Sequence, residues 1–165
     1  MPLDVPAGTT VFLDSAILHY AFVSFPAATT QCIRLLKRIA DGEVSGCLSL
    51  PALNDAVHKV MCSETVARFN RPRAGLVAWM KCNPDRVRQL TNAQEVLRLV
   101  GALPIRVLSA DLALLQEAQQ MVAAYGLLAS DAMILALMQR HRITHLATND
   151  DDFDRIPGLT VWKPR

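Results

Sequence analysis

The sequence predicts an α/β domain in which a mostly parallel sheet is covered by helices on both faces. Short, largely apolar runs such as Val11-Phe12-Leu13 and His145-Leu146-Ala147 read as strands buried on two sides. Amphipathic helical segments alternate with these runs along the chain. A hydrophobic fraction of 52% over 165 residues supplies one well-buried core.

The first run, Thr9–Asp14, is bounded by Gly8 and ends in a carboxylate, so Asp14 stands at the C-terminal tip of a strand. Between Thr30 and Ala40, Ile33, Leu36, Ile39 and Ala40 recur at helical spacing opposite Arg34, Lys37 and Arg38, and Asp41-Gly42 closes that helix. Val44–Ser49 is the second strand. Pro51, tolerated in a first helical turn, opens a helix through Asp55 and His58. From about Arg68 to Leu103, Pro72, Pro84 and Pro104 divide the pattern into short helices.

Ile105–Leu108 is the third strand, Ser109 the expected cap of a helix from Ala110 to Tyr125, and Gly126 its stop. The next helix begins near Ser130-Asp131 and carries Ala132, Ile134, Leu135 and Met138. His145–Ala147 then feeds the polar turn Thr148-Asn149-Asp150, and Leu159–Trp162 ends the sheet. No repeat or low-complexity segment divides the chain, and one domain over residues 1–165 is expected.

A charged fraction of 19% and a net charge of +2 argue against disorder and against the strongly basic surface of a DNA-coating protein. Nucleic acid would have to meet a local patch. Apolar runs such as Ala132–Met138 are far shorter than the roughly 20 residues that span a bilayer, and no basic n-region precedes an apolar run at the amino terminus. The expected location is the cytoplasm, with no membrane contact. Cys32, Cys47, Cys62 and Cys82 are dispersed, without a CxxC pair or a histidine at zinc-finger spacing, and read as buried free thiols.

In open parallel sheets, functional groups gather beyond the carboxyl ends of the strands. Asp14 and Asp150 fall there, and Asp131 stands at a helix start, where amides and the macrodipole favour negative charge. Singly, Asp131 has an ordinary explanation as a helix cap and Asp150 as an Asx-turn residue.

Together, these residues and their flanks resemble the PIN-domain family, in particular the VapC toxins. The resemblance is carried by Val11-Phe12-Leu13-Asp14-Ser15, by Leu50–Lys59, by Leu127-Leu128-Ala129-Ser130-Asp131-Ala132 and by Leu146–Phe153 with its Thr148-Asn149-Asp150-Asp151-Asp152 core. It implies a three-layer α/β/α fold and a metal-dependent endoribonuclease, the toxin of a toxin–antitoxin pair, forming a homodimer and inhibited by a cognate antitoxin. It further implies that Asp14, Asp131 and Asp150 bind metal and that Thr148 orients a carboxylate or water. Asp152 matches a common acidic position of the same motif, and either belongs to the acidic group or supports the turn from outside the metal shell.

Asp55 departs from the pattern. It occupies a position where the family usually has glutamate, one methylene longer, so either it reaches an ion through water or the match is shifted by a residue. That departure keeps open a non-catalytic PIN-like module that binds RNA or another protein. A standalone PIN ribonuclease of RNA processing or decay carries the same motifs.

Elementary electrostatics states what such a cluster needs. Two unit charges about 5 Å apart repel by roughly 3 kcal/mol at an effective dielectric of 20, so gathered carboxylates call for a cation or shared protons. Mg²⁺ or Mn²⁺ suits an all-oxygen set. The densest basic segment contains Arg68, Arg71 and Arg73, which either hold RNA backbone or solvate a turn. His58, three residues beyond Asp55, either approaches substrate phosphate or is an ordinary surface histidine.

Overall fold

The computed structural model describes residues 1–164. Five strands form one sheet, in the order β3-β2-β1-β4-β5, and every pairing between them is parallel. They are β1 (Thr10–Leu13), β2 (Ser45–Ser49), β3 (Arg106–Leu108), β4 (His145–Ala147) and β5 (Thr160–Trp162). The chain begins at the sheet centre, builds outward through β2 and β3, then returns to the other side of β1 for β4 and β5. The direction of building therefore reverses between β1 and β4, the place where open α/β sheets form a crevice at their carboxyl edge.

The helices divide between the two faces. On one face lie α1 (Ser15–Phe22), α2 (Pro26–Ala40), α3 (Leu50–Phe69) and α6 (Asn92–Ala102); on the other lie α7 (Leu112–Tyr125) and α8 (Ala129–Arg140). Alternation along the strands explains the division. Val11, Leu13, Leu48, Ala147 and Trp162 enter the first core, whereas Phe12, Cys47, Leu146 and Val161 enter the second. The result is a three-layer α/β/α fold. Two short helices, α4 (Leu76–Cys82) and α5 (Pro84–Val87), close a smaller cluster of Leu76, Met80 and Leu90 against the far half of α3.

Several local expectations change. Helix α1 follows β1 directly and has no counterpart among the predicted elements; its apolar residues leave little polar face for a helical period to reveal. Helix α2 starts at Pro26 rather than Thr30 and buries Cys32, Leu35, Leu36 and Ile39, leaving Ile33 and Ala40 outside. The cap of α7 is Asp111, not Ser109: its carboxylate accepts the Leu114 N–H at 2.7 Å, a stronger acceptor for an orphan amide than a hydroxyl two residues too early. Gly126 ends α7 with a φ of 64°.

All four cysteines are free, but only Cys32 and Cys47 are buried. Burial pushes their thiols up to about 12 and about 11, which leaves them packing groups rather than nucleophiles. Among the described residues, no single helix is long and apolar enough to cross a membrane.

Candidate active site

The reversal between β1 and β4 brings the acidic residues together. Asp14 extends the central ladder by donating its N–H to Ala147 O at 3.0 Å. Its carboxylate also caps α1, with Oδ1 accepting from Ser15 N at 2.6 Å and from Ser15 Oγ at 3.1 Å. Beyond β4, the buried Thr148 donates its hydroxyl to Asp14 Oδ2 at 2.7 Å and accepts the Asp150 N–H at 3.1 Å. Thr148 thus joins the ends of the two central strands.

Asp150 opens the 3-10 helix Asp151–Arg155, its Oδ1 accepting the Asp152 N–H at 2.8 Å. The turn role and a place in the acidic group are not alternatives here, because one carboxylate serves both. Asp131 lies in the first turn of α8 and is not its cap; the cap position is Leu128, which makes no side-chain bond. The Asp131 carboxyl is pushed up to about 6, by burial first and then by the charges of Asp150, Asp14 and Asp152, with Lys59 opposing.

Oxygens of Asp131, Asp150 and Asp152 lie within 4.8 Å of one another. Of the two roles the sequence leaves open for Asp152, the structure places it within this oxygen set, and Arg155 fixes it with a contact of 3.0 Å. Asp14 faces the same cleft of about 400 Å³, whose walls also hold Ser15, Asp55 and Lys59. A more open cleft of about 470 Å³ continues along Asn149 to Asp152.

Asp55 reaches this cleft from α3, which Ser49 caps by accepting the Ala52 N–H at 3.1 Å. Its Oδ2 takes an ion pair of 2.8 Å from Lys59, one helical turn on. Burial pulls the Asp55 carboxyl upward, but hydrogen bonding to Lys59 and Ser15, with the nearby positive charge, outweighs it and holds the group below its ordinary value. Lys59 Nζ also donates to Ser15 Oγ at 2.8 Å. Neither Lys59 nor Ser15 stood out as a candidate in the sequence; the signals were the Asp55-to-Lys59 spacing of four and a hydroxyl directly after Asp14.

The remaining candidates lie elsewhere. His58 is exposed outside the acidic cleft, beside an apolar groove at Val77 and Met80, with Nε2 3.6 Å from Cys62 Sγ. Arg68 donates to Gln89 O and pairs with Glu64 at 3.7 Å, and Arg71 stacks 5.2 Å from the Trp79 ring centroid. Both therefore hold the α3–α5 corner together. Arg73 is exposed, and its charge, with that of Lys59, reaches His19.

An all-carboxylate oxygen set, in which burial and then neighbouring negative charge raise the Asp131 carboxyl, has the donor chemistry of a hard divalent cation, not of zinc, which favours nitrogen and sulfur. The residues present fit such an ion.

Comparison with known proteins agrees with this architecture. The PIN-domain family model matches residues 11–159. A toxin–antitoxin complex from Klebsiella pneumoniae is similar at a TM-score of 0.58, with 17% identity over 94% of this chain and 98% of that chain. VapC20 of Mycobacterium tuberculosis, a toxin cleaving the sarcin-ricin loop, is similar at 0.57, with 15% identity over 87% and 92%. VapBC2 of Rickettsia felis, bound to a DNA fragment from its promoter, is similar at 0.54, with 15% identity over 94% and 98%. No match is found among curated proteins. At these identities the structural likeness concerns the fold, while the family match spans nearly the whole chain. On that match, and on the parallel sheet whose central crevice gathers Asp14, Asp131, Asp150 and Asp152, the chain belongs to the PIN-domain family.

Proposed function

We propose that this protein is a metal-dependent endoribonuclease of the VapC type, a single PIN domain over residues 1–165 acting in the cytoplasm as the toxin of a toxin–antitoxin pair. The observation that carries the proposal is the convergence of carboxylate oxygens from Asp131, Asp150 and Asp152, with Asp14 and Asp150 lining both adjoining clefts, where the strand order reverses. The likeness to VapC and VapBC structures supports the toxin reading and a cognate antitoxin, and the homodimer is proposed from the resemblance to the VapC toxins.

Asp14, Asp131, Asp150 and Asp152 would hold Mg²⁺ or Mn²⁺, with Asp55 contributing from the α3 wall. When bound, the ion neutralises the gathered charge, polarises a phosphoryl oxygen and acidifies water. The chain's own contribution is positioning. Ser15 and Thr148 fix the two oxygens of Asp14, and the Asp152 amide and Arg155 fix Asp150 and Asp152. In the hydrolysis, water oxygen forms a bond to phosphorus and the ester bond to a sugar oxygen breaks. A carboxylate of the cluster accepts the water's proton, and the departing oxygen takes one up. Arg73, with Arg71 and Arg68 behind it, is the proposed contact for RNA backbone away from the cleft.

The test is cleavage of total RNA by purified protein with Mn²⁺ and with EDTA, beside Asp14→Asn, together with growth during expression without a partner. Metal-dependent cleavage and slowed growth, both lost in Asp14→Asn, are expected. Cleavage without any growth defect would favour a processing nuclease. Absence of cleavage by folded, Mn²⁺-bound protein would favour the binding-module reading.

A further inference from the structure

We propose that Lys59 is the cation that receives the substrate phosphate, held over the acidic cleft by Asp55 and Ser15 and donating to a non-bridging phosphate oxygen. This deepens the ribonuclease reading and rests on it.

Lys59 occupies the only such place in the walls of the two joined clefts. Among the described residues lining them, it is the one basic side chain, and it lines both. Six aspartates line those same walls: Asp14, Asp55, Asp131 and Asp150 in the first cleft, with Asp151 and Asp152 added by the second. A polyanion approaching this concentration of negative charge needs a positive group beside the place where its phosphate comes to rest. A cation held by the carboxylates would neutralise part of that charge, and a protein donor on the neighbouring wall would supply a hydrogen bond to a phosphate oxygen.

The geometry makes Lys59 such a donor. An ammonium has three donors and no acceptor. Two are engaged, one to Asp55 Oδ2 at 2.8 Å and one to Ser15 Oγ at 2.8 Å, while 42% of the side chain stays exposed. A third N–H is left for a ligand. Ser15 is buried, and its hydroxyl donates to Asp14 Oδ1 at 3.1 Å, so the ammonium is one side chain removed from a cluster carboxylate. Its base is fixed as well, because Ala56 and Val60 on either side of it along α3 are fully packed in the core.

The ordinary alternative is a surface ion pair one helical turn long. Such a pair is a weak contact in water, and it does not explain the second bond to a buried serine that itself holds Asp14. The arrangement also gives the short Asp55 side chain a use. Its carboxylate rests on Lys59, outside the oxygen set of Asp131, Asp150 and Asp152.

The experiment compares wild type with Lys59→Gln, Lys59→Met, Lys59→Arg and the distant control Lys37→Gln, each checked for folding by thermal melt. A labelled mixed-sequence single-stranded RNA is bound in Ca²⁺ over a salt series, its single-turnover cleavage is followed in Mn²⁺, and Mn²⁺ affinity is titrated separately. Removing one charged donor to a single-strand phosphate lowers the slope of log K against log salt by about 0.7. That decrease is expected for Lys59→Gln and Lys59→Met, with cleavage down about 100-fold and Mn²⁺ affinity equal to or tighter than wild type. Lys59→Arg should keep the slope and recover much of the rate, and Lys37→Gln should match wild type. An unchanged slope in both neutral variants, or a loss of cleavage explained by weaker Mn²⁺ binding, would overturn the proposal and leave Lys59 a positioning residue. If wild type itself neither binds nor cuts RNA, the ribonuclease reading fails first, and the silent wild type identifies that failure.

Discussion

The Thr148 hydroxyl donates to Asp14 Oδ2 at 2.7 Å while accepting the Asp150 N–H at 3.1 Å, so one buried side chain sets the relation between carboxylates 136 positions apart in sequence. Thr148→Val keeps the shape and removes both bonds. Loss of a buried hydrogen-bond partner costs about 1–3 kcal/mol, and outer support of a metal site is worth about 10–100-fold in affinity or activity. Thr148→Val is therefore expected to melt earlier and bind Mn²⁺ more weakly, whereas Thr148→Ser stays near wild type. Equal Mn²⁺ titrations for valine and wild type would remove Thr148 from the site.

Asp131 gives the metal-free protein a distinctive pH dependence. Its carboxyl stands at about 6 in the fold against an ordinary 3.8. Between those values the folded state holds more protons than the unfolded one, so stability falls as pH rises through this window and is regained as pH is lowered. Allowing for solvent screening, the change is about 1–2 kcal/mol. Asp55, held below its ordinary value, acts in the opposite sense, its stabilisation being lost only as pH falls below 3.8. Denaturant melts in EDTA across this range should show the trend, Asp131→Asn should flatten it, and Mn²⁺ should raise stability most at the upper end. A profile unchanged by Asp131→Asn would refute the assignment.

Asp55 should matter less than the strand-end aspartates. Asp55→Ala releases Lys59 but leaves the Asp131, Asp150 and Asp152 oxygens in place. It is expected to weaken cleavage and Mn²⁺ binding by less than Asp14→Asn does, and Asp55→Glu to keep or improve both. Parallel titrations with single-turnover cleavage provide the comparison. If Asp55→Ala equals wild type in both assays, the Asp55 carboxylate has no part in the chemistry.

Gly46 tests the fold independently of the site. A Cβ there would stand 2.9 Å from Ile39 Cδ1 and 3.3 Å from Ile105 Cγ1, so the face of β2 that receives α2 has no room for a methyl group. Gly46→Ala should cost about 1–3 kcal/mol of stability. Gly101, in α6, meets nothing within 4 Å, and Gly101→Ala should stabilise by about 0.4–1 kcal/mol. Urea melts of the two variants should move in opposite directions; a Gly46→Ala variant as stable as wild type would contradict the packing of α2 on β2.

The positions of Asp14, Asp131 and Asp150 at element ends were legible in the sequence because they follow from local signals: apolar runs that stop at a carboxylate and a polar turn after a strand. The three-layer class was legible for the same reason, as uniformly apolar strands require cover on two faces. Local signals failed where a helix offered no polar side to mark its period, as in α1, and where two capping candidates competed, as at Ser109 and Asp111. Strand order, and the rotation of each helix about its own axis, depend on how distant segments pack. Only the tertiary structure could decide that Asp152 joins the oxygen set, that Ile33 faces outward, and that Lys59 meets Ser15, because each depends on contacts between segments that local periodicity does not relate.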